Sequence, residues 1–300
     1  MSLIQLDAVS KHYGAVRALD NLTLELNTGA PIALIGPNGA GKTTLISILC
    51  GYILRTEGSA RILGELPGSR GLVGRISAMP QDAQMDPNFT LLQQLTYYAR
   101  LQGFERGAAQ NEANRVLEIV QLPDVAEKEP AELSHGMRKR VSLAQALIGS
   151  PEVILLDEPT AGIDPPNVKI IRDLIGQMVD KATFIISSHN LDELEKLCST
   201  VVYLENGRLS SHGAIDTDDK DVFLTVRLID VPADAFISAA SAIPGVESVE
   251  QRAQGEFLLT TTIESVVDVP LLTLLREKHW SYRQLHRGRS LEERLYGETG

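Results

Sequence analysis

The feature that most constrains the fold of this chain is a glycine-rich run at residues 36–44, which reads G-P-N-G-A-G-K-T-T. It fits the phosphate-binding pattern G-x-x-x-x-G-K-[ST] at every fixed position. The apolar residues 31–35 before it predict a buried strand, and the apolar residues 45–49 after it predict a helix. This pattern binds nucleotide triphosphates when it lies between a strand and a helix, so we expect such a site here. The plain alternative is a glycine-rich turn that is followed by Lys-Thr by chance.

Each residue type in this loop suits the binding of phosphate. Glycines let backbone N–H groups turn inward toward an anion, and the start of the following helix attracts negative charge. Lys42 would supply a positive charge to the β- and γ-phosphates, and the Thr43 hydroxyl is placed to ligate Mg²⁺. The predicted nucleotide-binding residues of the loop are Gly36, Asn38, Gly39, Ala40, Gly41, Lys42, Thr43 and Thr44.

Length and composition predict an ordinary globular protein with one large and one small domain. The chain has 300 residues, of which 43% are hydrophobic and 22% are charged. The sequence contains no run of 18 apolar residues, so it predicts no membrane-spanning helix. Residues 1–7 lack the features of a signal peptide, and we therefore expect a cytosolic protein. Cys50 and Cys198 lie beside apolar residues, and we interpret both as small core side chains in a reducing compartment.

The charge balance argues against several classes of partner. The formal net charge is −11 and the sequence pI is about 5.1, the wrong sign for attraction to nucleic acid or to an anionic lipid surface. We therefore expect no nucleic-acid partner and no direct membrane insertion, so that any membrane association runs through a protein partner. Histidines and cysteines are scattered without ligand spacing, which argues against a zinc-type site.

A second motif supports nucleotide chemistry. Residues 153–158 read V-I-L-L-D-E, an apolar strand that ends in two carboxylates. An acidic residue at a strand end beside a phosphate loop can coordinate Mg²⁺, which makes Asp157 the candidate ligand, and Glu158 could polarise an attacking water. Taken alone, the motif slightly favours the alternative of a buried strand that simply ends in solvated acids.

A third motif lies just upstream, at residues 133–140, which read L-S-H-G-M-R-K-R. Ser134 is predicted to cap a helix that runs to about Gly149. With these motifs the chain resembles the ATP-binding subunits of ABC transporters, whose L-S-G-G-Q segment precedes the acidic strand at this distance. The resemblance implies that Ser134 and Gly136 contact the γ-phosphate held by a second copy. His135 and Met137 depart from that pattern, and we interpret them as subfamily variation that bears on the strength of this contact.

The same resemblance assigns further residues. It implies that Tyr13 stacks on adenine, although a tyrosine that merely packs is the alternative. Gln81 would reach Mg²⁺ and the attacking water and communicate with a transmembrane partner, and His189 would hold the γ-phosphate. Residues 161–164 resemble the loop that crosses the dimer interface, with Asp164 at its acidic position.

The implied mechanism is hydrolysis of ATP, with Mg²⁺ as cofactor, between two copies of the chain. The copies would close over two ATP molecules beneath a separate transmembrane permease, and reopening after hydrolysis would be the mechanical stroke. The predicted catalytic residues are Glu158, His189 and Gln81, and the predicted metal ligands are Thr43, Gln81 and Asp157.

The order of predicted elements gives the domain organisation. We expect an α/β fold over residues 1–213, a P-loop NTPase of ABC type with a mixed sheet core and an inserted helical subdomain at about 88–150. The acidic run at 214–221 predicts a linker. Residues 222–300 predict a small α+β domain of ferredoxin-like order, βαββαβ, with a terminal helix. Its predicted strands are 222–228, 246–251, 257–262 and 281–286, and its predicted helices are 233–242 and 267–277.

The last residues of the chain resemble one ABC subfamily in particular. Residues 290–296 begin with a capping-box pattern, and this ending resembles the extension on ATPases of one ABC exporter subfamily with a separate permease. Export, and a location on the inner face of the plasma membrane, are therefore implied. The small domain could instead only buttress a dimer. Two other functions stay open: a soluble ABC ATPase acting on ribosomes or DNA, and a regulatory ATP-binding module whose small domain senses a ligand.

Overall fold

Alternating apolar and polar residues near the start of the chain form a long antiparallel hairpin. In the computed structural model, which describes residues 2–82, 84–188, 191–214, 223–262 and 266–288, β1 (Ser2–Tyr13) pairs with β2 (Val16–Asn27) on one side and with β4 (Glu57–Ile62) on the other. Its buried face joins one core cluster with α1 (Lys42–Leu49), through side chains such as Leu6, Leu24 and Leu45.

Continuous apolar runs form a second, six-stranded sheet, as expected for strands that are covered on both faces. Its strands are β3 (Ile32–Ile35), β5 (Ile76–Met79), β6 (Val153–Asp157), β7 (Thr183–Ser187), β8 (Thr200–Glu205) and β9 (Arg208–Ala214), in the order β5-β6-β7-β3-β8-β9. The pairs β5–β6, β6–β7, β7–β3 and β3–β8 are parallel, and every residue of β3, β6 and β7 is buried. The predicted strand and helix around the glycine-rich loop are thereby confirmed as β3 and α1.

A tight turn connects the last two strands of this sheet. A two-residue connection joins β8 and β9, with φ 50° at Asn206 and φ 76° at Gly207. Positive φ at both central residues is the geometry that two-residue hairpins favour.

Helices dominate the region between β5 and β6. They are α2 (Leu91–Leu101), α3 (Arg106–Ile119) and α4 (His135–Ala146). A capping box begins α2, because the Thr90 hydroxyl accepts a hydrogen bond from the Gln93 N–H and the Gln93 side chain accepts one from the Thr90 N–H. α4 ends at Ala146, three residues before the predicted end at Gly149, which has φ 80° and donates its N–H to the Glu112 carboxylate.

Two further helices complete this unit. They are α5 (Pro165–Gly176), which lies between β6 and β7, and α6 (Leu191–Leu197), which follows β7. The chain divides into two compact units, Met1–Gly213 and Ala214–Gly300.

The second unit is a small α+β domain. It contains β10 (Phe223–Ile229), α7 (Ala233–Ala240), β11 (Val246–Ala253), β12 (Glu256–Thr261), α8 (Asp268–Glu277) and β13 (Ser281–Arg287). The sheet order is β11-β12-β10-β13, all neighbours are antiparallel, and the core contains Phe236, Phe257 and Leu271. The predicted βαββαβ order is confirmed, with each described boundary within two residues of the prediction.

Some predicted segments fall outside the described residues. They include most of the predicted linker, since 215–222 is not described, and the predicted capping box at 290–296. Among the described residues, no helix is long and apolar enough to cross a membrane.

Candidate active site

The parallel sheet brings most of the predicted site to one edge. Parallel strands end on the same side, so the segments that follow β3, β5, β6 and β7 converge there. These segments carry, respectively, the glycine-rich loop, Gln81, the pair Asp157 and Glu158, and the end of β7 at Ser187. Neighbouring strands therefore supply a possible anion site and the carboxylates beside it.

The glycine-rich loop is packed tightly against two strands. A Cβ on Gly36, where φ is 151°, would lie 2.2 Å from the carbonyl oxygen of Leu204 in β8. A Cβ on Gly41, where φ is 102°, would lie 2.5 Å from the carbonyl oxygen of Ala18 in β2. Only glycine fits at these two positions, and the backbone of the loop is fixed by them. The tip is open, since Asn38 and Gly39 are exposed.

Lys42 lies at the start of α1 and folds back over the loop. Its ammonium donates to the carbonyl oxygens of Gly36 at 2.6 Å and of Pro37 at 3.2 Å, and the residue is only 7% exposed. Thr43 is exposed beside it and Thr44 is half-buried. The first N–H groups of a helix lack partners within the helix, so this end of α1 presents a positive charge, free donors and a hydroxyl together. That set of groups fits a phosphate.

Asp157 and Glu158 are held by one serine hydroxyl. The Ser187 hydroxyl donates to the Asp157 carboxylate at 2.5 Å and accepts from the Glu158 backbone N–H at 2.9 Å. Both acidic residues are buried, and Glu158 has φ 50°, an uncommon backbone conformation for a residue with a side chain. Uncommon conformations of this kind persist where surrounding contacts enforce them, and here Ser187 supplies two such contacts.

The donor set fits Mg²⁺. This ion is usually bound by one or two carboxylates together with water and substrate phosphates, and it prefers hard oxygen ligands. Asp157 and Thr43 supply a carboxylate and a hydroxyl of that kind. The described part of the chain has no group of three or more His, Cys, Asp or Glu arranged to hold a metal.

Gln81 follows β5 and is exposed, while its backbone is tied to the helical subdomain. The Lys139 ammonium on α4 donates to the Gln81 carbonyl oxygen at 2.7 Å. Burial lowers the pKa of Lys139, and the negative charges of Asp82, Asp157 and Glu158 oppose that shift. The carboxylates of the strand end are therefore electrostatically coupled to α4.

The motif at residues 133–140 and the loop at residues 161–164 pack together at the start of α4. The Ser134 hydroxyl caps α4 by accepting from the Met137 N–H at 3.2 Å, which confirms the predicted cap. Gly136 is buried against Asn167, since a Cβ there would lie 2.4 Å from the Asn167 side chain. Asn167 in turn donates to the Asp164 carboxylate at 2.7 Å. A side chain at position 136 would therefore displace the Asn167 side chain of α5.

Tyr13 ends β1 at the tip of the first hairpin. It is 50% exposed, and the Lys11 ammonium lies 5.0 Å from the centre of its ring while donating to the Leu54 carbonyl oxygen. β1 pairs with β2, and β2 contacts Gly41. Tyr13 therefore belongs to the hairpin that packs against the glycine-rich loop. An exposed, held aromatic face can stack on a base.

The structure thus groups the predicted residues into three sets. The loop residues, Gln81, Asp157 and Glu158 meet at one sheet edge; Ser134, Gly136 and Asp164 meet at the start of α4; Tyr13 lies on the hairpin. His189 is outside the described residues. Sequence reasoning missed three supporting residues, Ser187, Lys139 and Asn167. Lys139 had a visible signal, because it shares a helical face with Gly136 and Leu143, at a spacing typical of buried positions.

Comparison with known proteins decides the family. The family model described as ABC transporter matches residues 19–161. The Nod factor export ATP-binding protein I of Cupriavidus metallidurans is 31% identical, over 100% of this chain and 98% of the relative. The chain belongs to the family of ABC transporter ATP-binding subunits. An uncharacterized ABC transporter ATP-binding protein of Bacillus subtilis is 32% identical, over 71% of each chain.

Solved structures support the same family and fold. A structure described as the ATP binding subunit of an ABC transporter has a TM-score of 0.64 and 27% identity, over 71% of this chain and 90% of that one. Another, described as a dimeric post-hydrolysis state of an ATP-binding cassette bound to ADP and Pi, has a TM-score of 0.66, over 72% of this chain and 100% of that one. At 23% identity, this second likeness supports the fold. The predicted ABC-type fold is confirmed.

Proposed function

We propose that this ATP-binding subunit hydrolyses ATP with Mg²⁺ and works as a homodimer that powers export through a separate permease. The main support for hydrolysis is that Lys42, Asp157 and Glu158 follow parallel strands to the same edge of the sheet, where Ser187 holds both acids. Lys42 and the N–H groups at the start of α1 would bind the β- and γ-phosphates, and Tyr13 would stack on the adenine.

Thr43, Asp157 and Gln81 would hold Mg²⁺. When bound there, the ion would neutralise charge on the β- and γ-phosphates. Glu158 would orient a water molecule and take a proton from it as the water oxygen attacks the γ-phosphorus. The bond from that phosphorus to the bridging oxygen then breaks, giving ADP and phosphate. His189 would stabilise the charge on the transferred group.

The second copy would complete the site. Ser134 is exposed at the start of α4, and this helix end, like the end of α1, carries N–H groups that attract an anion. Within one chain, the described contacts of Ser134, Gly136 and Asp164 are with α4 and α5, not with the glycine-rich loop. We therefore assign Ser134 and Gly136 to the γ-phosphate held by the partner copy, with the loop 161–164 crossing between the copies.

The permease would dock on the helical subdomain. Phe89, Tyr97 and Leu101 are large apolar side chains that are at least half exposed there, and Tyr97 and Leu101 share one face of α2. The names of several relatives include export, which supports export as the direction of transport. Docking on a permease would place the chain at the inner face of the membrane.

Hydrolysis is tested by phosphate release from the purified chain with Mg²⁺ and with EDTA. We expect Mg²⁺-dependent turnover that Glu158→Gln reduces by about 10²-fold or more, since a positioned base contributes on that order. Glu152→Gln is the matched control, because Glu152 precedes the same strand and lies at its opposite end, in an exposed ion pair with Arg75. Wild-type turnover that is equal to that of Glu158→Gln would refute the assignment.

The dimer is tested by size-exclusion chromatography of Glu158→Gln with ATP. Because this variant should bind ATP and cleave it very slowly, we expect a stable dimer that reverts to monomer when ATP is removed. A monomer at saturating ATP would rule out the shared site.

A further inference from the structure

Lys139 is a buried cation that none of the assigned roles uses. It lies near the middle of α4, is 8% exposed, and donates to the Gln81 carbonyl oxygen at 2.7 Å. A lysine ammonium has three donors and is strongly hydrated in water, so burial of this group is costly unless charges or hydrogen bonds offset it. An apolar side chain would satisfy packing at lower cost.

The charges that offset its burial belong to the active site. Asp82, Asp157 and Glu158 are the carboxylates that act on the Lys139 ammonium, and one of them immediately follows Gln81. The lysine therefore faces both the segment after β5 and the acidic end of β6. The contact that fixes its position is the hydrogen bond to the Gln81 carbonyl oxygen.

The contact also joins two elements that lie far apart in sequence. Gln81 and Lys139 are separated by 58 residues, and α2 and α3 lie between them in the sequence. A hydrogen bond to a backbone carbonyl fixes the backbone and leaves the Gln81 side chain free to point elsewhere. The side chain of Gln81 is exposed, so the backbone tether determines where it can reach.

We propose that Lys139 is a positioning residue: it ties the Gln81 backbone to α4 and so places the Gln81 side chain for the reaction at the neighbouring acidic strand end. This inference rests on the proposed ATPase function. Lys139 acts through Gln81 and does not itself touch the reacting atoms.

The first test measures the tether without using activity. Amide hydrogen exchange is compared in the full-length wild type, Lys139→Met and the control Lys128→Met, which changes an exposed lysine of the same subdomain. We expect faster exchange in the peptide that contains Gln81 for Lys139→Met only. Equal exchange in Lys139→Met and wild type would overturn the proposal, whether or not the chain hydrolyses ATP.

The second test is kinetic. We expect Lys139→Met to lower kcat by about 10- to 100-fold, the usual range for residues that orient a site from the second layer, with the Kd for ATP changed less than about 2-fold. Lys139→Arg keeps the charge and the donors and is expected to recover most of the loss. A parallel fall in ATP affinity, thermal stability and kcat would indicate a structural role and overturn the proposal.

A double-mutant cycle then asks whether the effect passes through Gln81. Gln81→Ala removes the side chain and keeps the carbonyl that Lys139 contacts, so Lys139→Met should have little further effect on kcat in that background. Additive losses would contradict the proposal. If Lys139→Met does not fold, the cycle is run with Lys139→Ala, which also removes the donor; a folded Lys139→Ala variant whose loss of kcat adds to that of Gln81→Ala would also overturn the proposal.

Discussion

At the scale of single residues, the two ends of the glycine-rich loop are fixed by contacts that leave no room for a side chain. Gly36 meets the backbone of β8 and Gly41 meets the backbone of β2, whereas a Cβ on Gly39 would have no neighbour within 4 Å. The loop therefore combines clamped ends with an open tip.

This difference gives a matched pair of variants. Gly36→Ala should push the loop away from Leu204 and weaken ATP binding by about tenfold or more, because an unrelieved clash of this size moves the donors. Gly39→Ala should cost only about 1 kcal/mol of folding free energy, since φ is 82° there and space is free. Calorimetry of ATP binding and thermal melts measure both. Equal ATP affinities for the two variants would contradict the inference that close contact with β8 fixes the loop at Gly36.

The two cysteines give a second prediction at this scale. Burial raises the pKa of Cys50 to about 12, with Asp157 adding to the shift, and burial raises the pKa of Cys198 to about 12 as well. At pH 8 both thiols are protonated, and only the thiolate reacts quickly. We expect neither to react with a disulfide reagent in the folded chain at pH 8, and both to react in guanidinium chloride. Rapid reaction in the folded state would count against this burial.

At the scale of elements, the first residues of a helix can contribute to stability, to function or to both, and mutations can distinguish these contributions. Thr90 and Ser134 each cap a helix with a side-chain hydroxyl, at α2 and α4. Thr90→Ala and Ser134→Ala should each lower the free energy of unfolding by about 1 kcal/mol. We expect only Ser134→Ala to lower ATP turnover strongly, as measured by phosphate release. A similar loss in Thr90→Ala would mean that Ser134 acts through stability alone.

Many of the strands and helices can be predicted from the sequence, because apolar runs and capping residues mark them locally. Residues 31–35 and 153–158 are continuous apolar runs at strand length, and Thr90 and Ser134 precede helices with capping side chains, so β3, β6, α2 and α4 could be read from the sequence. The P-loop pattern and the acidic strand end likewise pointed to one site.

Tertiary contacts explain what the sequence could not show. Nothing local marks Ser187 as the partner of Asp157, because the two meet only when β6 and β7 pair in register. The close packing of Gly136 on Asn167 depends on how α4 and α5 approach each other. The segment that follows α4 is likewise held by a distant residue, since Glu112 on α3 accepts from the Gly149 N–H.

At the scale of the whole molecule, each compact unit has a core of its own. Leu6, Leu24 and Leu45 belong to a core cluster in the first, while Phe236, Phe257 and Leu271 belong to a separate one in the second. Units with separate cores can usually fold alone.

We therefore expect a chain truncated after Gly213 to fold and to bind ATP with nearly the affinity of the full chain. The reason is that every described residue of the candidate site lies in the first unit. Thermal melts and ATP calorimetry of the truncated and full-length chains make the comparison. Failure of the truncated chain to fold would show that the first unit needs the second.

One helix, α4, presents Ser134 at its exposed start and holds Gln81 of its own chain through Lys139. In the proposed homodimer, Ser134→Ala impairs hydrolysis at the ATP site of the partner chain. Lys139→Met and Glu158→Gln each impair hydrolysis at the ATP site of their own chain. Two inactive alleles should therefore complement when one carries Ser134→Ala and the other Glu158→Gln, because the mixed dimer contains one intact site. Lys139→Met with Glu158→Gln should not complement, since each chain then damages its own site. Co-expressed alleles would thus reveal which defects act in trans and which in cis.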